Sequence, residues 1–208
     1  MRKVFEIGGL VAAAVLIAFG VAAIVMGFNG RNTVHSSLKA EQIYFGDAAR
    51  DPTVPKQYST QLVSNGDQAR AFAKMMRGHT LEATNGLTYS QMGRFVAKPG
   101  TPAKLTDSQG GTNNPTAAAI DPTTKQPVSN PARNIWVTET ALTTALNTAY
   151  MAEQISLFGI VVGVALLLSG FGFAILAIGG ALRNPETAFE FLTKRVSKTT
   201  GVTPVPAA

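Results

Sequence analysis

Few residues in this sequence have the types and spacing that metal binding or acid–base chemistry requires. His79 and Glu82 lie three positions apart in a segment of helical periodicity, a spacing that occurs in metal sites on helices. The chain contains 2 histidines and no cysteine, so a second histidine–carboxylate pair or a thiolate set cannot complete the ligands. We therefore predict no metal site, and we expect His79 to be a packed or surface residue.

Motifs for other chemistries are missing as well. Asp47, Asp51 and Asp67 do not have the spacing of a calcium-binding loop. The sequence contains neither a Gly-x-Ser-x-Gly elbow nor a glycine-rich phosphate loop ending in Lys-Ser/Thr. The sequence therefore predicts no catalytic residue and no cofactor, and we interpret the protein as not an enzyme.

Two long apolar runs dominate the composition, at positions 7–28 and 155–182, and neither contains a charged residue. At about 1.5 Å per residue, each helix can cross a hydrocarbon core of roughly 30 Å. Two core helices of a soluble protein are the alternative, but such helices rarely stay uncharged on every face. A cleaved signal peptide is a rival for the first run, which is too long for one and lacks a small-x-small cleavage site after Phe28. We predict two transmembrane helices.

Basic residues close to the helix ends predict the orientation, since long loops cross a membrane largely regardless of charge. Six basic residues lie before the first run or after the second: Arg2, Lys3, Arg183, Lys194, Arg195 and Lys198. On the other side of the predicted spans, only Arg31 and Lys39 closely follow the first run, and the twenty residues before the second contain no Lys or Arg. This places residues 1–6 and a basic tail at 183–208 in the cytoplasm, and residues 29–154 outside the plasma membrane. We predict a short interfacial helix in the tail. The net charge of +6 comes without an aromatic–basic motif, so no nucleic-acid partner is predicted.

The fold class predicted is mainly α, with a mostly helical extracytoplasmic domain between two transmembrane helices. Ser64 and Asp67 resemble a capping box that starts a helix, and Asn85-Gly86 should stop it. Residues 98–133 are rich in Pro, Gly, Thr and Asn and predict a flexible insert. Residues 134–154 predict a helix that continues into the second span. The sequence also permits a turn at Asn29-Gly30.

Small residues form a stripe on each apolar helix, and small side chains let helix backbones approach closely in lipid. The predicted helix-packing residues are Gly9, Ala13, Gly20 and Gly27 in the first run, and Gly159, Gly163, Gly170, Ala174, Ala177 and Ala181 in the second. Seven-residue steps within both stripes favour a shallow left-handed crossing. We predict that the stripes face each other or a sister copy; compositional bias in Ala-rich and Gly-rich helices is the alternative explanation.

A second strip of small residues lies on the opposite side of the second span, at Ala165, Ser169, Gly172 and Gly179. One helix pair uses only one strip. The second strip therefore predicts self-association or a larger membrane complex.

Scattered motifs run across most of the chain, outside 98–133: Val34-x-x-x-Leu38-x-x-x-Gln42-Ile43-x-Phe45, Val63-x-x-Gly66-x-Gln68-Ala69-x-Ala71, His79, Gly86-x-Thr88-Tyr89, and Ala141-Leu142 to Ala149-Tyr150 before the second span. In these motifs the chain resembles a group of uncharacterised two-pass membrane proteins from actinobacteria. Some members carry an automatic label as aromatic-ring-opening dioxygenases. Such iron chemistry needs a histidine and carboxylate set that this sequence lacks. The resemblance implies a cell-envelope location.

Three hypotheses of function follow, and the third in order is an envelope hydrolase, which an activity lost in His79→Ala would support. The first is a non-enzymatic integral membrane protein, a structural or accessory subunit whose partners are the lipid bilayer and other helices. The alternative is an extracytoplasmic ligand-binding or sensory module, with Phe72, His79, Tyr89 and Trp136 as possible pocket residues.

Overall fold

The computed structural model describes residues 2–179, and it describes the side chains from Val4 onward. Within this described part, three α-helices carry the fold: α1 is Arg2–Ala40, α2 is Gly66–Ala83 and α3 is Pro131–Ile178. Two-residue strands β1, Phe95–Val96, and β2, Gly111–Thr112, pair antiparallel, with Phe95 opposite Thr112. The predicted tail at 183–208 and Ala181 lie outside the described residues.

The chain divides into two compact units. One unit combines residues 1–30 with 155–208, and the other is the continuous segment 31–154. Both α1 and α3 continue from one unit into the other. The mainly helical fold class is confirmed.

The first unit consists, in its described part, of the apolar portions of α1 and α3. Both helices are long and apolar enough to cross a membrane, and only 17% of the most apolar window of each is buried within the protein. Large side chains such as Phe19, Val161 and Leu168 are well exposed. A core helix of a soluble protein would bury most of such a window, so these surfaces differ from a soluble core.

The helix α1 extends past the turn that the sequence permitted. Asn29 and Gly30 lie inside it, and the helix ends only at Ala40. Val34 and Leu38 extend its apolar stripe into the core of the 31–154 unit. Burial of this stripe outweighs the weak helix propensity of Asn and Gly, which is worth about 1 kcal/mol for a glycine.

The core of the 31–154 unit forms where α2 packs against the ends of α1 and α3. Its buried members are Leu38, Phe45, Val54, Val63, Ala69, Phe72, Ala73, Met75 and Leu146. Phe45 contacts Tyr58 in a stacked geometry and Phe72 edge-on, each with ring centroids 5.3 Å apart. This unit therefore has a hydrophobic core of its own without disulfides.

The start of α2 differs by one residue from the predicted capping box. Asn65 is the N-cap, and its Oδ1 accepts a hydrogen bond from the backbone N–H of Gln68. Ser64 instead donates through its backbone N–H and its hydroxyl to Gln68 Oε1. The helix ends before Asn85 and Gly86, which adopt positive φ angles of 48° and 80°. A left-handed residue of this kind commonly terminates a helix.

The prediction of a mostly helical domain between the spans is not supported. Between the end of α1 and the start of α3, the only α-helix in the described chain is α2; the rest is turns, short 3₁₀ segments and the β1–β2 pair. Asx-type turns occur at Asp47, Asp51 and Asp121, whose side-chain oxygens accept hydrogen bonds from the backbone N–H two residues on. At the start of α3, Asn130 Oδ1 accepts from the N–H of Ala132, and Pro131 occupies the first helical position.

The flexibility of the 98–133 segment stays a prediction, but the structure shows how the segment is held. The carboxylate of Asp107 accepts hydrogen bonds from the backbone N–H groups of Gly93, Gln109 and Gly111. Burial would raise the pKa of Asp107, but these three hydrogen bonds lower it below its ordinary value. Asn130 adds a hydrogen bond from its Nδ2 to the carbonyl of Gly93.

Candidate functional site

The small-residue stripes of α1 and α3 lie against each other in the first unit. Ala13, Gly20 and Gly27 are buried at seven-residue steps on α1, and Gly163 and Gly170 are buried on α3. Contacts pair Gly20 with Gly163, and Ala13 with Gly170, so the two helices run antiparallel. The stripes predicted from the sequence are thus brought together within one chain.

The backbones approach too closely at these positions for any side chain. A Cβ atom on Gly20 would lie 2.8 Å from the carbonyl oxygen of Gly163, and one on Gly163 would lie 2.7 Å from the carbonyl oxygen of Gly20. At Gly170, an added Cβ would lie 2.7 Å from Cγ1 of Ile17. Helix packing in this unit therefore depends on glycine itself.

The other predicted packing residues are less uniform. Gly9 and Ala177 are buried, whereas Gly159 and Ala174 are half-buried. A Cβ on Gly159 would meet its nearest neighbour, the carbonyl oxygen of Ala23, at 3.8 Å, which is ordinary contact. Gly159 therefore tolerates a side chain that Gly163 does not.

The second strip on α3 is not used by the helix pair. Ala165, Ser169 and Gly179 are exposed, and a Cβ on Gly172 would meet nothing within 4 Å. Ser169 Oγ donates to the carbonyl of Ala165 in its own helix, 2.9 Å away. This face has room for the close approach of another helix.

A polar cluster that the sequence reasoning missed centres on Glu153, whose side chain is 6% exposed. Its Oε1 lies 2.9 Å from Nε of Arg31 and 2.8 Å from Nε2 of His35. Its Oε2 accepts the backbone N–H of Gly66. The last third of α1, the middle of α3 and the start of α2 therefore meet at one carboxyl group. The only sequence signal was a carboxylate just before an apolar run, which requires a partner when buried.

Burial by itself would raise the pKa of Glu153. The hydrogen bonds from His35, Arg31 and Gly66 oppose burial and together hold that pKa below its ordinary value. Glu153 precedes the 155–182 run and lies outside the predicted span. At neutral pH its carboxylate is ionised and accepts only, so His35 must carry a proton on Nε2.

His79 belongs to a second polar cluster with Asp51 and Thr53. Its Nε2 lies 2.7 Å from Thr53 Oγ1 and 3.1 Å from Asp51 Oδ2. Hydrogen bonds from the Thr53 hydroxyl and backbone lower the pKa of Asp51. A catalytic relay needs the acid on one ring nitrogen and the hydroxyl on the other. Both contacts share Nε2, so this cluster has the geometry of a structural hydrogen-bond network.

The four predicted pocket residues have separate environments. Phe72 lies in the hydrophobic core, and His79 bonds Thr53. Tyr89 is exposed, with the guanidinium of Arg133 3.9 Å from its ring centroid. Trp136 is buried and donates through Nε1 to the carbonyl of Leu87. The structure therefore does not bring these four side chains to one cavity.

Among residues 2–179, no group of three or more histidine, cysteine or acidic side chains is placed to hold a metal ion. A polar cleft does lie between α2 and α3 in the 31–154 unit, with a volume of about 510 Å³. Arg70, Lys74 and Arg77 line it from α2, and Glu139 lies in its opposite wall. Four charged side chains thus line this concave surface.

Comparison with protein-family models, curated proteins and solved structures gave no match for this chain. The resemblance to two-pass actinobacterial membrane proteins stays a prediction.

Proposed function

We propose that this protein is a non-enzymatic plasma-membrane protein, a structural or accessory subunit that is anchored by a hairpin of two transmembrane helices. Both termini are cytoplasmic, and the 31–154 unit is extracytoplasmic. Most of the apolar surface of α1 and α3 is left uncovered by the protein itself, which supports lipid or other helices as its environment.

The observation that carries an assembly function is that α1 covers only one of the two small-residue strips on α3. The strip containing Gly163 and Gly170 is filled by α1, whereas on the other strip Ala165 and Ser169 are exposed and a Cβ on the half-buried Gly172 would meet nothing within 4 Å. In lipid, small residues allow close helix contact that larger apolar residues prevent. A sister copy or a larger complex therefore uses the second strip.

The experiment compares Gly172→Leu with the matched control Gly8→Leu. A Cβ at either glycine meets nothing within 4 Å, so both positions have open space where a side chain begins, and the unfolding temperature of each variant checks that the monomer is intact. Protein extracted in native-membrane nanodiscs is crosslinked and its companions are identified. We expect Gly172→Leu to remove the oligomer or companion, and Gly8→Leu to retain it. A wild-type monomer without companions, or equal behaviour of the two variants, contradicts the proposal.

A second candidate function is ligand binding by the extracytoplasmic unit. The observation that favours it is the cationic cleft between α2 and α3, since concave sites with a few convergent polar groups are typical of ligand binding.

A further inference from the structure

The cleft between α2 and α3 carries three cations with no acidic partner. Arg70, Lys74 and Arg77 lie along one stripe of α2 and span about 10 Å at the rise of an α-helix. All three are exposed. None of them forms an ion pair within the described part of the chain. Their positive charge is therefore available to a ligand in the cleft.

Two of these cations are held in place by aromatic rings of α3. The guanidinium of Arg70 lies 4.7 Å from the ring centroid of Tyr150, and that of Arg77 lies 5.2 Å from the centroid of Trp136. A guanidinium over a ring keeps the N–H donors at its planar edge free for bidentate contact with an anion. The stacking thus orders both arginines before a ligand arrives.

The opposite wall of the cleft contains a buried acid with an unmet hydrogen bond. Glu139 is 3% exposed, and its Oε2 accepts from Thr140 Oγ1 at 3.3 Å. Its Oε1 is buried and has no hydrogen-bond partner among the described residues. Buried polar atoms nearly always have a partner. Glu139 lines the cleft, and the terminal torsion of a glutamate is broad, so its carboxylate can turn to meet a ligand there.

We propose that this cleft binds a small phosphate ester that also carries a primary ammonium group, of the phosphoethanolamine type. Arg70 and Arg77 donate N–H groups to the phosphate, and the charge of Lys74 adds to its attraction. The ammonium donates to Oε1 of Glu139. The same chemistry occurs in a free compound and in a lipid headgroup. This proposal rests on ligand binding by the 31–154 unit. Its test measures binding of small probes, whereas assembly through α3 is tested by crosslinking, so the failure of one is distinguishable from the failure of the other.

The test is calorimetric titration of the full-length chain in a phosphate-free detergent with three probes. O-phosphorylethanolamine should bind at least about tenfold more tightly than inorganic phosphate, since a hydrogen bond to a charged group is worth at least that factor. O-phosphocholine has the same charges but no N–H donor, and it should bind no better than phosphate. Equal affinity for all three probes overturns the assignment of Glu139.

Variants separate the two halves of the site. Glu139→Gln should remove the preference for O-phosphorylethanolamine while phosphate binding stays unchanged. Arg70→Gln with Arg77→Gln should weaken all binding at least about tenfold. Arg50→Gln with Arg94→Gln makes the same change in net charge at exposed positions outside the cleft and should have no effect. Equal losses in the two double variants overturn the site.

A milder variant guards against loss of folding. Lys74→Gln leaves both arginine–ring contacts intact, and it should weaken binding of phosphate and O-phosphorylethanolamine by the same factor; unchanged affinity contradicts the site.

Nanodiscs of two lipid compositions distinguish a lipid headgroup from a soluble compound as the source of the ligand. If phosphatidylethanolamine discs, unlike phosphatidylcholine discs, block the free compound, a headgroup occupies the cleft. If the free compound binds in both kinds of disc, the ligand is a soluble compound. If none of the three probes binds in phosphatidylcholine discs, the proposal is overturned.

Discussion

Nε2 of His35 lies 2.8 Å from Oε1 of Glu153, although 118 positions separate the two residues in the sequence. The pair joins the end of α1 to α3, and the second oxygen of Glu153 holds the first residue of α2, Gly66. A Cβ on Gly66 would lie 3.0 Å from Cα of Tyr150, so this junction also requires close backbone contact. The three helices of the 31–154 unit are thus fixed to one another by a single carboxylate.

Replacing this carboxylate should destabilise the unit. Glu153→Gln introduces an amide N–H₂ group that faces Arg31, His35 or Gly66, each of which is already a donor. We expect a loss of about 1.5–3 kcal/mol in the free energy of unfolding, the scale of hydrogen bonds to a charged group. Thermal and denaturant unfolding of the detergent-purified chain measures it. Glu82→Gln, an exposed change on α2, is the control and should be near neutral; an equally small effect at Glu153 would exclude this role.

Acid should weaken the junction in a defined range of pH. The pKa of Glu153 in the folded chain lies below its ordinary value of 4.5, so its contribution is fully present above that value and is lost as the pH falls through the folded pKa. The stability difference between wild type and Glu153→Gln should be constant from pH 7 to about 5 and should shrink towards pH 3. Asp51, Asp107 and Asp121 also have lowered pKa values, but they are common to both proteins. A difference that grows in acid would contradict this assignment.

A methyl group at Gly20 should separate the apolar helices. Its Cβ would lie 2.8 Å from the carbonyl oxygen of Gly163 and 2.9 Å from Cγ of Leu167. Overpacking of this kind costs about 1–3 kcal/mol. Gly8→Ala, on the same helix but in open space, should be neutral or slightly stabilising because alanine favours helix. The unfolding temperature should therefore fall in Gly20→Ala and stay constant or rise in Gly8→Ala, and equal unfolding temperatures of the two variants would speak against close packing at Gly20.

Gly93→Ala should loosen the 98–133 segment. The new Cβ would overlap the backbone of Gly111 and Thr112, next to the hydrogen bond from the N–H of Gly93 to Asp107. Limited digestion with trypsin measures the effect, since Lys104 and Lys125 lie in the segment and neither precedes a proline. We expect cleavage there to become several-fold faster in Gly93→Ala and to stay unchanged in Gly78→Ala, whose Cβ meets nothing within 4 Å. Equal cleavage rates would show that Gly93 does not order the segment.

The features that could be predicted from the sequence were those that depend on a local run or repeat of residue types. Uncharged runs at 7–28 and 155–182 predict two long apolar helices from length and composition alone. Seven-residue steps of small residues, projected on a helix, place Ala13, Gly20 and Gly27 on one face, and the structure puts that face against Gly163 and Gly170. No long-range information was needed for either prediction.

Features that depend on distant partners could not be predicted in this way. The local signal at Asn29-Gly30 suggests a turn, yet Val34 and Leu38 find a core to pack against, and the helix continues. The partners of Glu153 lie on segments 87 to 122 positions away. Phe72, His79, Tyr89 and Trp136 have the types of pocket residues, but their positions are set by four different sets of neighbours. Periodicity predicts which residues share a helix face, and it does not predict which segment of the chain packs against that face.

Accessibility of single cysteines in intact cells tests the central proposal most directly, because the chain contains no cysteine of its own. Thr124→Cys lies at an exposed position of the 31–154 unit, and Thr203→Cys lies in the predicted cytoplasmic tail. A membrane-impermeant maleimide should label Thr124→Cys in intact cells and should label Thr203→Cys only after the membrane is broken. Labelling of Thr203→Cys in intact cells with protection of Thr124→Cys, or release of the protein from membranes by alkaline carbonate, would contradict a two-helix anchor with its central unit outside the cell.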